Sequence, residues 1–232
     1  MSSLLSEFAN PQKAVNLARF FKTGVGEYGE GDQFLGVTVP QTRAVAKQNL
    51  HLHLSEIELL LHSKWHEERL LALHILTYQF PKATPIHQKK LFDFYLAQTK
   101  YINNWDLVDT SAHKIVGAYL LKNMNQIDIL DSLAHSKNMW QQRIAIIATF
   151  AFIAQNNVEP SLHLAEILIS HPHDLMHKAV GWVLREVWKK TPSKAEEFLI
   201  QHYQGISRTT LRYAIERMDE QKRKQFLNGT FA

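Results

Sequence analysis

Cysteine is absent from the 232 residues, which excludes disulfide bonds and thiolate metal sites. Long apolar runs are absent as well, and the N-terminal segment carries Glu7 early, so we predict neither a secretory signal peptide nor a membrane span. A hydrophobic content of 45% is enough to bury a sizeable core. The sequence therefore predicts one folded domain over residues 1–232, located in the cytoplasm, whose chemistry comes from groups other than thiols.

Glycine is scarce and unevenly placed, because five of the nine glycines lie in the segment 23–40, TGVGEYGEGDQFLGVTVP. A phosphate-binding loop would need a Gly-Lys-Ser/Thr signature after a strand, and neither pattern is present. We therefore predict an irregular connecting loop without a nucleotide-binding role.

Strand patterns are also missing, and helical periodicity accounts for the remainder of the chain. Residues 2–22 predict one or two amphipathic helices with a break at Asn10-Pro11, and residues 41–50 predict another helix. From Ser55 onward helix follows helix, with breaks at the short segments FPKATP, QNNVEP, SHPHD, TPSK and YQGIS. The predicted fold class is all-α.

An internal repeat relates several of these helices. The stretches HSKWHEERLLALHIL, HSKNMWQQRIAIIAT and SHPHDLMHKAVGWVL each contain a polar turn, a helix start, a basic residue and an apolar run. The basic residues recur about every 35 residues, with one double interval. The copy within that double interval is NWDLVDTSAHKIV, in which Trp105 aligns with Trp65 and Asp109 aligns with Arg69. The equivalent residues, which we call the repeat positions, are Arg69, Asp109, Arg143, Lys178 and Arg212.

Repeats of this length are typical of stacked helical pairs whose second helices line one surface of a curved solenoid. Regularly spaced cations on that surface suit the backbone of duplex DNA, and the formal charge of +4 permits such a partner. A structural ion pair or a capped carbonyl explains a repeated basic residue almost as well, and we favour this explanation for Arg69 and Arg212. Arg143 precedes the apolar run RIAIIATFAFIA, where a charge needs a partner.

The stretch 101–120 is the only copy that puts a carboxylate at the repeat position. We predict one helix here, capped by Asn103 or Asn104, with Trp105 and Asp109 four residues apart on one flank. A carboxylate beside an indole can stabilise a developing positive charge, although a structural salt bridge from Asp109 is the simpler alternative. Trp182 lies four residues after Lys178 and is predicted to project from the same lining surface, unless it belongs to the core.

Three motifs resemble the AlkD-like DNA alkylation repair glycosylases: NWDLVDTSA, NMWQQRIAI and HKAVGWVLREVWKKTP. The segment FFKTGVGEYGEGDQFLGVTVPQTRAVAK resembles the opening region of one branch of that family. The resemblance implies an all-α, right-handed solenoid of HEAT-like repeats with a concave DNA-binding cleft. It also implies removal of positively charged N3- or N7-alkylated purines from duplex DNA, without a deep base pocket, as a step of base excision repair.

The resemblance carries four residues over to this chain: the catalytic Asp109, the cleft tryptophans Trp105 and Trp182, and the functional Arg143. Some members have a second tryptophan just before the one that matches Trp105, and this chain has Asn104 there, which leaves the substrate range open. Breaking an N-glycosidic bond builds positive charge on the sugar, and an alkylated purine leaves as a neutral base, so one carboxylate suffices. Asp109 is assigned to this role, the two indoles to holding the nucleotide and Arg143 to anchoring a phosphate.

The predicted DNA contacts come from the basic repeat positions Arg69, Arg143, Lys178 and Arg212. The competing hypothesis is a non-catalytic helical-repeat scaffold that binds DNA or protein. We predict a monomer that needs neither a cofactor nor a metal.

Two clusters of histidines could bind zinc, one at residues 171, 173 and 177 and one at residues 51 and 53. However, His171 occupies a turn that carries histidine in other copies of the repeat. A role at a helix start is therefore predicted.

Overall fold

The computed structural model describes residues 4–231, and its regular secondary structure is helical throughout that range. Within residues 4–231, one parallel β-bridge joins Gln33 to Trp65, and it is not extended into a strand. The predicted all-α class is confirmed. No helix in this part of the chain is both long enough and apolar enough to span a bilayer. The chain divides into two compact units, Met1–Ile115 and Val116–Ala232.

Among its described residues, the first unit contains six α-helices. Their bounds are α1 Pro11–Phe20, α2 Val39–Gln48, α3 Leu54–Leu61, α4 His66–Gln79, α5 Pro85–Ala97 and α6 Trp105–Ala112. Short 3-10 turns lie at Ser6–Phe8, Phe80–Lys82 and Thr99–Tyr101.

The second unit continues with nine α-helices among its described residues. Their bounds are α7 Ala118–Lys122, α8 Asp128–Ala134, α9 Met139–Ala148, α10 Phe150–Ala154, α11 Glu159–Leu168, α12 Asp174–Lys190, α13 Pro192–Gln201, α14 Arg208–Ala214 and α15 Glu220–Asn228. A 3-10 turn lies at Met124–Gln126, and a π-helix at His113–Gly117 runs across the division between the units.

The predicted breaks coincide with the ends of helices. Asn10 caps α1 by accepting a hydrogen bond from the Lys13 N–H at 3.0 Å, and Pro11 occupies the first turn, as predicted. The two N-terminal residues of that prediction, Ser2 and Ser3, lie outside the described residues. Each of the five short segments beyond Ser55 contains the break between two helices, although all but YQGIS run into the first residues of the helix that follows. The three repeat motifs likewise span the turns of the packed pairs α3/α4, α8/α9 and α11/α12.

The helix predicted over 101–120 is shorter and less regular than expected. Tyr101 ends a 3-10 turn, Asn104 is extended and caps α6, and the α-helix begins only at Trp105. It gives way to the π-helix at His113 and resumes as α7. Gly117 lies so close to the Ala148 carbonyl that a Cβ would be 2.1 Å from that oxygen. The pattern of residues 101–120 does not indicate this approach, because Ala148 is distant in sequence.

The core of the first unit is organised around α4, which packs against α2, α3 and α6. Its apolar face is buried, and so are four polar residues in its first turn, which are His66, Glu67, Glu68 and Arg69. Buried charges require partners, and the glycine-bearing loop supplies several of them. The backbone N–H groups of Leu35, Gly36 and Val37 donate to the Glu67 carboxylate at 2.9, 2.8 and 3.2 Å.

Candidate active site

Helix α6 carries the two residues at the centre of the predicted site. The Asn104 side chain accepts a hydrogen bond from the Trp105 N–H at 2.8 Å, and Asp106 accepts from the Leu107 N–H at 2.9 Å. Trp105 and Asp109 are both partly exposed and lie one helical turn apart on the same flank. An indole ring and a carboxylate are therefore presented together by one capped helix.

The Trp105 indole is supported by other aromatic rings. Phe21 stacks on it with centroids 5.3 Å apart and an angle of 14° between the ring planes, and Phe20 meets it edge-on at 5.9 Å. Phe34 stacks on Phe21 at 5.1 Å. Since Phe21 and Phe34 are buried, one side of the indole rests on a fixed surface. The plane of Trp105 is set by this packing.

A largely buried group of polar side chains adjoins the aromatic rings through His66. We call it the Asp32 cluster, and it consists of Asp32, His66, Arg69, Asn104 and Asp106. The His66 ring lies 4.8 Å from the ring of Phe21, and its Nδ1 and Nε2 atoms are 3.1 Å from Asp32 Oδ2 and 2.8 Å from Asp106 Oδ2. Asn104 donates to Asp32 Oδ2 at 3.1 Å. The cluster thus connects the loop, the start of α4 and the start of α6.

The cluster shifts the pKa values of two of its members, His66 and Asp32. Burial alone would lower the pKa of His66, but the adjacent Asp106 and Asp32 carboxylates raise it to about 9. Burial alone would raise the pKa of Asp32, but hydrogen bonding to His66 and the charge of Arg69 lower it below its usual value. A cationic His66 therefore lies between two carboxylates at neutral pH.

Arg69 is held inside this cluster and is a poor candidate for a DNA contact. Its side chain is 7% exposed, and its guanidinium lies 2.5 Å from Asp32 Oδ1 and donates to Asn103 Oδ1 at 2.9 Å. This is the structural role favoured for Arg69 from the sequence. The predicted phosphate contact does not fit this environment, because a buried ion pair would have to break before the guanidinium reached a ligand.

In the second unit, Arg143 is also buried, with 5% of the residue exposed. Its Nη1 donates to the Leu175 carbonyl at 2.5 Å, which ties α9 to the first turn of α12. The sequence predicts that the charge of Arg143 needs a partner, and the Leu175 carbonyl is one such partner. A phosphate-anchoring role for Arg143 stays a prediction.

The remaining predicted residues lie on α12 and α14. Trp182 is partly exposed, with its ring centroid 4.7 Å from that of Phe150. Lys178 is 40% exposed and lies 2.7 Å from Asp174 Oδ2, whereas Arg212 is exposed on α14. Gly181 lets the two helices pack closely, because a Cβ there would come within 2.5 Å of a neighbouring Cβ on α14. Lys178 and Arg212 are accessible cations, unlike Arg69.

Sequence reasoning missed Asp32, His66 and Asp106. One signal was available, because His66 follows Trp65 and Asp106 follows Trp105 in aligned copies of the repeat. Opposite charges at the same place in successive copies predict a contact between those copies. Asp32 carried no comparable signal, because it belongs to a loop outside the repeat.

The histidine clusters occupy helix starts and a surface cavity. The Nδ1 atoms of His171 and His173 accept the N–H groups of His173 and Leu175 at 3.0 and 3.1 Å, which is the predicted helix-start role. His51 and His53 line a separate cavity of about 410 Å³ in the first unit. Its lining residues include none of the predicted site residues.

These observations define an all-helical repeat protein that presents a partly exposed tryptophan and aspartate from one helix. The family model of the DNA alkylation repair enzymes matches residues 1–218, so the chain belongs to that family.

Two solved structures have a similar fold. A predicted DNA alkylation repair enzyme from Enterococcus faecalis has a TM-score of 0.73 at 18% identity, covering 91% of this chain and 97% of that one. AlkD2 from Streptococcus mutans has a TM-score of 0.58 at 16% identity, covering 90% of this chain and 98% of that one. At these identities the likeness shows the fold alone. No curated protein matches the chain.

Proposed function

We propose that the protein is a DNA glycosylase that hydrolyses the N-glycosidic bond of positively charged N3- or N7-alkylated purines in duplex DNA. The observation that carries this proposal is the pairing of Trp105 with Asp109 on one flank of α6. The indole offers a π-face to a cationic base, and the carboxylate offers a negative charge one turn away. Membership of the DNA alkylation repair family supports the same substrate class.

In the proposed reaction, the bond between C1′ of the deoxyribose and the purine nitrogen breaks, and its electron pair leaves with the purine. The purine departs neutral because it carried a formal positive charge, so protonation by a general acid is unnecessary. Asp109 stabilises the cationic character that develops on the sugar and orients the water whose oxygen bonds to C1′. The proton that this water loses passes to solvent.

The indoles of Trp105 and Trp182 are assigned to holding the nucleotide, and Arg143 to anchoring a phosphate. Backbone binding elsewhere is assigned to Lys178 and Arg212, which are accessible cations. Arg69 is left out of this set because its guanidinium is engaged in the buried ion pair with Asp32.

The test is release of free base from a duplex that contains N7-methylguanine, measured under single-turnover conditions. Asp109→Asn is expected to lower the rate by about 10²–10³-fold, the loss typical of removing one electrostatic stabiliser of a transition state. Its binding to the duplex should stay close to wild type. Asp93→Asn, which alters an exposed aspartate paired with Lys89 on α5, is the matched control and should keep full activity.

The scaffold hypothesis predicts a different result. Wild type and Asp109→Asn would then both bind the duplex with steep salt dependence, and neither would release base. That outcome would remove the catalytic roles assigned above. Protein binding alone would instead give weak DNA binding with little dependence on salt.

A further inference from the structure

The first turn of α6 is held by side chains from two other segments of the first unit. His66 on α4 reaches Asp106, which also caps the Leu107 N–H, and Asp32 in the loop reaches Asn104, which caps the Trp105 N–H. Both residues that flank Trp105 in sequence are therefore held by the Asp32 cluster. The backbone on either side of Trp105 is held by these contacts, while aromatic packing sets the plane of its ring.

We propose that His66 is a positioning residue for Trp105, because its ring, hydrogen-bonded at both nitrogens between Asp32 and Asp106, fixes the first turn of α6 and the indole surface that receives the alkylated nucleotide. This inference rests on the function proposed above. His66 does not touch substrate in this scheme and acts through Trp105.

The geometry of His66 fits this role in two ways. Its two ring nitrogens face carboxylates on opposite sides, so one cation links the loop to α6 in a way that a neutral side chain with a single donor cannot. Its ring also lies 4.8 Å from the rings of Phe21 and Phe34, and Phe21 stacks on Trp105. His66 therefore supports the indole through the backbone of α6 and through the aromatic rings.

The charges around His66 define how the arrangement responds to pH. Asp32 faces it from the loop, Asp106 from α6, and Arg69 from its own helix at 3.3 Å from Nδ1. The side chain is 2% exposed, and its pKa is raised to about 9. Loss of the proton leaves the two carboxylates facing a neutral ring with one donor, so the hold on α6 weakens as the pH rises through this range.

The first experiment measures the fluorescence of Trp105 and needs no substrate. Subtracting the emission of each protein's Trp105→Phe derivative isolates the contribution of Trp105 from that of the other tryptophans. We expect His66→Gln to shift this emission and to raise its quenching by acrylamide about twofold or more. In wild type the Trp105 emission should titrate with a midpoint near pH 9, and in His66→Gln this transition should be absent.

The second experiment separates positioning from general loss of structure. Asp106→Asn keeps an oxygen to cap Leu107 but removes the negative charge beside His66, so it serves if His66→Gln fails to fold. His163→Gln is the matched control, because it removes an exposed histidine–aspartate contact of the same 2.8 Å length in the second unit. The control should leave Trp105 emission and base release unchanged.

For His66→Gln or Asp106→Asn, we expect base release to fall about 10-fold or more while the fold, judged by circular dichroism, is retained. A variant that folds but leaves both Trp105 emission and base release at wild-type values would overturn the positioning role. If wild type itself releases no base, the proposed glycosylase function fails, and the Trp105 emission still decides whether His66 positions the indole.

Discussion

His66 and Asp106 occupy the same place in two aligned copies of the repeat, and their side chains meet at 2.8 Å. Each follows a tryptophan, Trp65 or Trp105. A repeat that carries a base in one copy and an acid in the next joins two helices through equivalent positions. The same pair supports the helix that presents Asp109, so the link between copies and the candidate active site share residues.

The stability of the protein should fall on the alkaline side because of His66. Its pKa in the folded chain is raised to about 9, above the value of about 6.5 expected in the unfolded chain, so its contribution is complete below pH 6.5. The contribution declines as the pH rises and is lost through pH 9, amounting to about 3 kcal/mol in total. Urea unfolding between pH 6 and 10 measures this slope.

The control for this prediction is His66→Gln, whose unfolding free energy should show a flatter dependence over the same range. A wild-type curve with no decline between pH 6.5 and 9 would show that His66 is not held as a cation by its two carboxylates.

On the acidic side, His74 should limit stability. Burial is the main cause that lowers its pKa to about 4, with Arg43 and Lys114 adding to the effect. The unfolded chain takes up a proton below about pH 6.5 where the folded chain does not, so stability falls as the pH drops from 6.5 towards 4. His74→Leu, measured by urea unfolding at pH 4.5 and 7, should reduce the difference between the two values. An unchanged difference would contradict the assignment.

The sequence was most informative where local chemistry determines structure. The Asn10-Pro11 helix start, a cap at Asn103 or Asn104 and the breaks at the five short segments beyond Ser55 follow from caps, prolines and periodicity. The breaks between α7 and α8 and between α14 and α15 are not among these predictions. The helix predicted over 101–120 is interrupted in the structure. Its interruption accompanies the close packing of Gly117 against Ala148, and no local pattern encodes that contact.

The site was less predictable, because it depends on which charges become buried. Arg69 and Arg143 were known as repeat positions, but their partners, Asp32 and the Leu175 carbonyl, lie far from them in sequence. For the loop that supplies Asp32, the glycine pattern predicts only a connection. Asp32 is bound to α4 and to the start of α6 by tertiary contacts, and the sequence pattern within the loop does not indicate these contacts.

Substitution of two arginines at repeat positions should affect the stability of the protein very differently. Arg69→Met should lower the free energy of unfolding by about 3–5 kcal/mol, because it leaves the Asp32 carboxylate buried without its guanidinium. Arg212→Ala should change stability by less than about 0.5 kcal/mol, because Arg212 is exposed. Denaturant unfolding of both variants checks this contrast.

The same two variants should differ in DNA binding. Arg212→Ala should reduce the slope of log affinity against log salt concentration by about 1, the effect of losing one phosphate contact. Arg69→Met, where it folds, should leave the slope unchanged. A reduced slope for Arg69→Met together with unchanged stability would mean that Arg69 contacts DNA after all.

Gly117 should be intolerant of a side chain. A Cβ at this position would lie 2.1 Å from the Ala148 carbonyl oxygen and 2.8 Å from the Ala151 Cβ, so either the π-helix that ends at Gly117 or the end of α9 must shift. We expect Gly117→Ala to destabilise the protein by about 1–3 kcal/mol, the usual cost of overpacking. Gly205→Ala is the matched control, because the nearest atom to its Cβ is 3.9 Å away, which is ordinary contact. Thermal unfolding of both variants measures the difference, and equal melting temperatures would show that the contact at Gly117 yields without cost.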